Sequence, residues 1–243
     1  SASGVIETAR KNTATIGKLY AGLNGIVGAL QEEMVDTSQE SEVDIARLCH
    51  TPGGAFGSCR YKMKNFEDDT REYERLIDVF KAHDIGFFFY NGGGDYADTC
   101  LKVSKVSEKM GYPIQSIHIP KTIDNDLPLT DCSPGFGSVA KYVATSIKEA
   151  SLDIASMSAS STKVFILEVM GRHAGWIAAS GGLASYKEGD APHIILFPEI
   201  PFSREKFISK VETTIKEKGY CVVVASEGTQ YSDGAHISGS LQR

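Results

Sequence analysis

From Ile85 onward the chain alternates short apolar runs with amphipathic stretches, and no other feature restricts the possible folds as strongly. Ile85 to Tyr90, Ile114 to Ile119, Lys163 to Val169, His193 to Phe197 and Tyr220 to Ala225 read as buried strands. The break at Asn91-Gly92-Gly93-Gly94 predicts a helix with Asp95 at its N-cap and Gly111 as its stop. Gly137 to Met157, Trp176 to Tyr186 and Ser203 to Lys218 carry apolar residues at helical spacing, the last with Ser203 as cap. Strands alternating with helices predict an α/β fold, a Rossmann-like parallel sheet with helices on both faces. A chain of 243 residues, 42% hydrophobic, has enough apolar material for one large α/β domain or two small ones.

The first 80 residues are less regular. Ser1 to Lys11 and Asp69 to His83 read as helices, and the polar stretch Thr37 to Asp44 as a loop. Ser1 to Lys11 has no strand before it and no closing element follows Gly239 to Gln242, so the chain reads as a fragment of a longer protein.

Charge and cysteine usage narrow the function classes. A formal net charge of -6 gives no global basic field for nucleic acid or an anionic membrane, so any anion must be bound at a local site. Cys49, Cys59, Cys100, Cys132 and Cys221 are scattered with no Cys-x-x-Cys pair, which predicts neither a zinc cluster nor a disulfide framework and fits a reducing cytoplasm. No apolar run approaches the ~20 residues of a membrane span, and Ser1 to Arg10 lacks a basic-then-apolar leader.

An open parallel sheet gathers ligands beyond the carboxyl ends of its strands. Four strands end there in polar, glycine-rich segments, at Gly92 to Asp95, Lys121 to Asp126, Met170 to His173 and Ser226 to Gly228, and one crevice could collect all four. Gly92-Gly93-Gly94-Asp95 would let backbone N–H groups approach a phosphate at a helix N-terminus, although a plain tight turn reads equally well. Lys121 to Asp126 says more. Asp124 and Asp126 lie between Pro120 and Pro128, which rules out a regular helix and predicts two carboxylates on one side of an extended loop. Beside a lysine they suit phosphoryl transfer, one accepting a hydroxyl proton and the other holding Mg²⁺. The alternative is an Asx-rich turn capping the next helix.

Pro120-Lys121-Thr122-Ile123-Asp124-Asn125-Asp126, Met170-Gly171-Arg172-His173-Ala174-Gly175 and Pro52-Gly53-Gly54-Ala55-Phe56-Gly57-Ser58-Cys59-Arg60 together closely resemble the phosphofructokinase family, in order and spacing as well as identity. The resemblance covers essentially the whole chain and implies that residues 1–243 are a catalytic core with the phosphofructokinase fold, lacking the first strand and the C-terminal part. It implies that Asp124 takes the proton from a sugar C1 hydroxyl, that Asp126 and Thr122 support the metal and the transferring phosphoryl group, and that Arg172 stabilises developing charge. Arg60, with Gly93 and Gly94, would hold the donor phosphates. Met170, Gly171 and Glu227 would contact the sugar phosphate, with Arg243 and Lys163 as further phosphate contacts.

Donor choice rests on two positions. Members of the family that use ATP usually carry glycine where Lys121 and Asp95 stand, whereas members that use pyrophosphate resemble this chain at both. A carboxylate at Asp95 would crowd and repel anything beyond a β-phosphate, and the Lys121 ammonium can bind a terminal pyrophosphate oxygen. The resemblance therefore implies phosphoryl transfer from pyrophosphate to fructose 6-phosphate, with Mg²⁺, in a cytoplasmic homo-oligomer. An ATP-dependent enzyme and a non-catalytic regulatory subunit of the same fold are the alternatives; a dehydrogenase-type nucleotide module is disfavoured because no G-x-G-x-x-G follows a strand. The family has a metal-binding Asp or Asn where Gly94 stands, so here Asp95 or Asp126 would carry the metal through water, or the metal would bind weakly. His173 reads as a packing residue, the other histidines show no metal-ligand spacing, and Trp176 and Phe87-Phe88-Phe89 read as core.

Overall fold

The computed structural model of the protein describes residues 1–51 and 53–237. The chain divides into two compact units, Ser1–Pro120 and Lys121–Arg243.

The first unit runs α1 (Ala2–Lys11), β1 (Tyr20–Gly22), α2 (Ile26–Gln31), β2 (Met34–Asp36), α3 (Glu42–Arg47), α4 (Arg71–Ala82), β3 (Phe87–Gly92), α5 (Gly94–Lys109) and β4 (Gln115–Pro120). β1 and β2 pair antiparallel, and β3 pairs parallel with β4 from Phe87 opposite Gln115 to Gly92 opposite Pro120. Helix α4 places Tyr73, Leu76, Ile77 and Phe80 on one stripe, all nearly inaccessible, against Phe88 and Tyr90 of β3 and Cys100, Val103 and Val106 of α5. Strand alternation explains why the Phe87-Phe88-Phe89 run is not uniformly core. Phe88 enters that cluster, while Phe87 and Phe89 turn to the other face and line a cleft of about 990 Å³ that Gly4, Val5 and Thr8 of α1 also line. The predicted loop at Thr37 to Asp44 is partly helical, because Ser41 caps α3 by accepting the Asp44 N–H at 3.2 Å.

The second unit runs α6 (Phe136–Met157), β5 (Val164–Val169), α7 (Trp176–Ser180), β6 (Ile194–Leu196), α8 (Arg204–Lys218) and β7 (Cys221–Ser226). Its three strands are parallel in the order β5-β7-β6. Central β7 is buried along its length apart from half-buried Ala225, and its alternate residues divide between two helical layers. Val222 and Val224 pack with Val143 and Ile147 of α6 and Ile177 and Ala178 of α7; Cys221 faces Thr214 of α8. Helices thus cover both faces here, as predicted, and Ser203 caps α8 as predicted. Parallel pairing therefore occurs as two ladders, one per unit. The segment after Trp176 is α-helical for five residues only and continues as a 3-10 turn over Gly181–Ala184. Trp176 is exposed rather than core; the next two residues, Ile177 and Ala178, carry the burial at that end of α7.

Candidate active site

In the second unit the Lys121–Asp126 segment, which opens the unit, meets the loops that follow β5 and β7, and it is the most constrained of the three. It is a turn rather than an extended loop. The Asn125 N–H donates to the Thr122 carbonyl at 3.4 Å, the Asp124 N–H donates to Thr122 Oγ1 at 3.3 Å, and Asn125 sits at φ +54°. That geometry separates the environments of the two carboxylates: Asp124 is half-buried and Asp126 exposed. The sequence reading placed both on one side of a straight segment and so missed this difference.

Asp124 Oδ1 is buried without a hydrogen-bond partner. Burial pushes the Asp124 carboxyl above its ordinary range, the charges of Asp126 and Glu227 push the same way, and His173 and Arg172 oppose them. These five side chains therefore share one field. Arg172 Nη2 lies 3.9 Å from Glu227 Oε2, too long and too exposed a pair to fix either side chain firmly. The guanidinium is free to turn towards an incoming anion.

The backbones beneath Arg172 and Glu227 are held far more firmly than their side chains. Ser226 Oγ donates to the Gly171 carbonyl at 2.6 Å and accepts the Gly228 N–H at 3.1 Å. The Glu227 N–H continues the ladder to the Val169 carbonyl at 2.8 Å. A Cβ on Gly228 would overlap the Arg172 carbonyl, so only glycine allows this approach. At the far end of the loop, Gly175 N–H donates to Glu199 Oε1 at 2.8 Å. Sequence reasoning gave a role to Glu227 and none to Ser226, Gly228 or Glu199, because a bracing hydroxyl has no chemical signature in sequence.

Met170 and His173 are exposed beside Arg172, while Gly171 is buried. Lys121 is exposed. Lys163 lies at the opposite end of β5 from Met170, about 20 Å away at strand rise. Within one copy of the chain it is not brought to Asp124. Arg243 lies outside the described residues.

In the first unit β3 extends two residues further than predicted, because Asn91 and Gly92 pair with Ile119 and Pro120. Gly93 is therefore the N-cap of α5, and Asp95 lies in the first turn, where the helix dipole favours a carboxylate. Gly92 is required by Tyr96, whose ring occupies the space a Cβ would need. The Tyr96 hydroxyl in turn donates to the Cys59 carbonyl at 2.7 Å and ties the Cys59-Arg60 segment to α5. Arg60 and Asp95 both act electrostatically on Tyr96, which places them in one neighbourhood with half-buried Gly93 and exposed Gly94 at the start of the helix. Asp95 Oδ1 also pairs with Lys62 Nζ at 3.3 Å, a partner the sequence reading did not name.

The described residues contain no group of three or more His, Cys, Asp or Glu side chains able to hold a metal ion unaided. This donor set fits a hard cation held by one carboxylate and completed by phosphate oxygens and water. Asp126 fits that role, exposed and with no hydrogen bond or ion pair among the described residues; Asp95 fits less well while Lys62 occupies it. No helix among the described residues is long and apolar enough to cross a membrane, and all five cysteines are free.

A carboxylate of raised affinity for protons, an unconstrained arginine beside it and a glycine-led helix N-terminus are the parts that phosphoryl transfer needs. The phosphofructokinase family model matches residues 1–243. The chain belongs to the phosphofructokinase family. It is 66% identical over 240 residues to a pyrophosphate–fructose 6-phosphate 1-phosphotransferase of Halomonas elongata, covering 99% of this chain and 57% of that protein. It is 62% identical over 243 residues to the enzyme of the same name from Methylococcus capsulatus, covering 100% and 58%. The crystal structure of a pyrophosphate-dependent phosphofructokinase from Marinobacter aquaeolei superposes with a TM-score of 0.89 at 66% identity, over 99% of this chain and 58% of that one. The chain thus spans a little over half the length of these relatives. Members of this phosphofructokinase family use a divalent metal.

Proposed function

We propose that this chain forms the catalytic core of a pyrophosphate-dependent fructose 6-phosphate 1-phosphotransferase, which makes fructose 1,6-bisphosphate reversibly. The observation that carries the reading is Asp124, whose buried oxygen has no partner while its proton affinity is raised beside Arg172. A base that is stronger than an ordinary carboxylate, with an unfilled acceptor, is suited to the proton of a sugar hydroxyl. As the C1 oxygen bonds to the transferring phosphorus, the proton passes to Asp124 and the bond to the departing phosphate breaks. Arg172 meets the charge on the phosphoryl oxygens, Thr122 supports the turn and the phosphoryl group, and Glu227, Met170 and Gly171 seat the sugar phosphate. Mg²⁺, when held at Asp126, supplies neutralisation of phosphate charge.

The donor is read from Lys121 and Asp95, together with the names of the relatives above. Arg60, Gly93 and Gly94 are the proposed donor-phosphate contacts, and Asp95 excludes a longer polyphosphate by charge and bulk. A homo-oligomer is part of the same proposal, and the exposed apolar side chains Tyr142, Leu152, Leu183 and Tyr186 of the second unit are available to it. The test is fructose 1,6-bisphosphate formation with Mg²⁺, comparing pyrophosphate with ATP in the parent and in Lys121→Gly. Turnover with pyrophosphate that falls in Lys121→Gly supports the assignment. A pyrophosphate rate unchanged by that substitution, or turnover with ATP alone, overturns the donor reading.

A further inference from the structure

Asn125 lies between the two aspartates of the turn and has so far no role in the reaction. It is buried, at 7% exposure, and its backbone sits at φ +54°, a region that costs most side chains strain and that asparagine tolerates. Both polar atoms of its side chain bond the main chain ahead: Oδ1 accepts the Ser133 N–H at 2.7 Å and Nδ2 donates to the Asp131 carbonyl at 3.1 Å. The Ser133 carbonyl in turn accepts the Phe136 N–H at 3.1 Å, at the first residue of the 22-residue helix α6. A continuous path therefore runs from a rigid helix through Ser133 to Asn125.

Asp124 itself has no such support. Its buried Oδ1 makes no hydrogen bond, so no polar partner aims that oxygen, and its direction depends on the backbone that carries it. That backbone is fixed on one side by Thr122 and on the other by the left-handed residue that Asn125 holds.

We infer that Asn125 is a positioning residue, whose side-chain clamp on residues 131–133 aims the Asp124 carboxylate at the acceptor hydroxyl. The inference rests on the reaction proposed above. Asn125 touches neither substrate nor reacting atoms, and its effect on the rate passes through Asp124. Misplacement of a reacting group by about 1 Å costs on the order of a hundredfold in rate, so loss of the clamp falls on kcat rather than on sugar-phosphate binding.

Asn125→Gly separates the two functions of the residue, because glycine keeps the left-handed backbone and deletes both side-chain bonds. The protein, expressed with its natural flanking sequence, is assayed with pyrophosphate, fructose 6-phosphate and Mg²⁺. The expected result is a fall in kcat of about ten- to a hundredfold with KM for fructose 6-phosphate within about threefold of the parent. Hydrogen exchange at the Ser133 amide, measured in the parent, reports the clamp without any variant; it is expected to be protected in the parent and, where the variant folds, faster in Asn125→Gly. A kcat within about twofold of the parent overturns the inference. So does a loss shared equally by kcat and binding, or a Ser133 amide in the parent that exchanges as fast as an exposed loop amide. A parent silent with every donor overturns the reaction reading, and this inference with it, before any variant is compared.

Discussion

The two polar regions of the molecule are built on opposite principles, although each follows parallel strands and contains glycine where the chain leaves the strand. In the first unit the turn that begins at buried Gly92 comes to the surface at Gly94 and Asp95, and its one charge, Asp95, is met by another surface charge, Lys62. In the second unit the loops around Asp124 are braced by bonds beneath the surface at Ser226, Gly228 and Asn125, and by Glu199 at the rim, while Asp124 Oδ1 is left unpaired. Solvent screens the Asp95–Lys62 pair of the first region, whereas in the second it reaches the rim but not Asp124 Oδ1. Binding a charged diphosphate needs only placement of charge, whereas proton transfer needs a base whose affinity is raised and whose direction is fixed. The comparison predicts that substitutions in the second region damage rate, and those in the first damage donor affinity.

The largest expected effect is at Asp124. Asp124→Asn should lower kcat by about 10²- to 10⁴-fold, the usual range for loss of a general base. Its stability should not fall with it. The folded-state pKa of Asp124 lies above its unfolded value, so its contribution is full below the unfolded pKa and is lost as pH rises through the folded one. At neutral pH the charged form is the less favourable one to bury, and the neutral amide should melt at the same temperature or higher. In the parent, kcat/KM should rise with pH through a pKa above the ordinary aspartate value of about 3.9. A profile that is flat from pH 4 upward, or an active Asp124→Asn, would remove Asp124 as the base.

Next in size is Gly228→Ala, which tests the bracing rather than the chemistry. The added methyl meets the Arg172 carbonyl, and relief of that overlap must move the loop that carries Arg172 or the end of β7. Overpacking of this kind costs about 1–3 kcal/mol, read as a lower midpoint in denaturant, together with a lower kcat. An unchanged midpoint and an unchanged kcat would mean that the two backbones do not need their close approach.

What the sequence made legible follows the same division. Periodicity located the strands of both parallel ladders and the helices α4, α6 and α8 to within two residues, because burial of an alternating or helical stripe leaves a direct mark on residue order. It misjudged Trp176 and Phe87, where one residue of phase decides which side is buried. Asp124, Arg172 and Glu227, to which the proposed reaction gives roles, could be singled out in the sequence, and the second unit brings them into one field. Ser226, Asn125 and Lys62 could not, since a hydroxyl that bonds a carbonyl 55 positions away, an amide that fixes a left-handed turn, and a lysine opposite an aspartate 33 positions on look in sequence like ordinary polar residues. Only the folded backbone brings them to their partners.

The smallest expected effect is at Lys62, and it is the sharpest test of the contrast. Lys62 and Asp95 are both largely exposed, and exposed pairs contribute little to folding because water and salt screen them. Lys62→Ala should therefore leave the melting temperature where it is. It should nevertheless raise KM for pyrophosphate by a few-fold at low salt, since an uncompensated Asp95 repels the donor at the end of α5, and the difference from the parent should shrink as ionic strength rises. Asp95→Gly, which removes the repulsion instead, should move donor preference in the opposite direction and admit ATP. If Lys62→Ala changed kcat while leaving donor KM untouched, the first region would be acting on the rate, and the division between a screened binding turn and a braced reacting loop would fail.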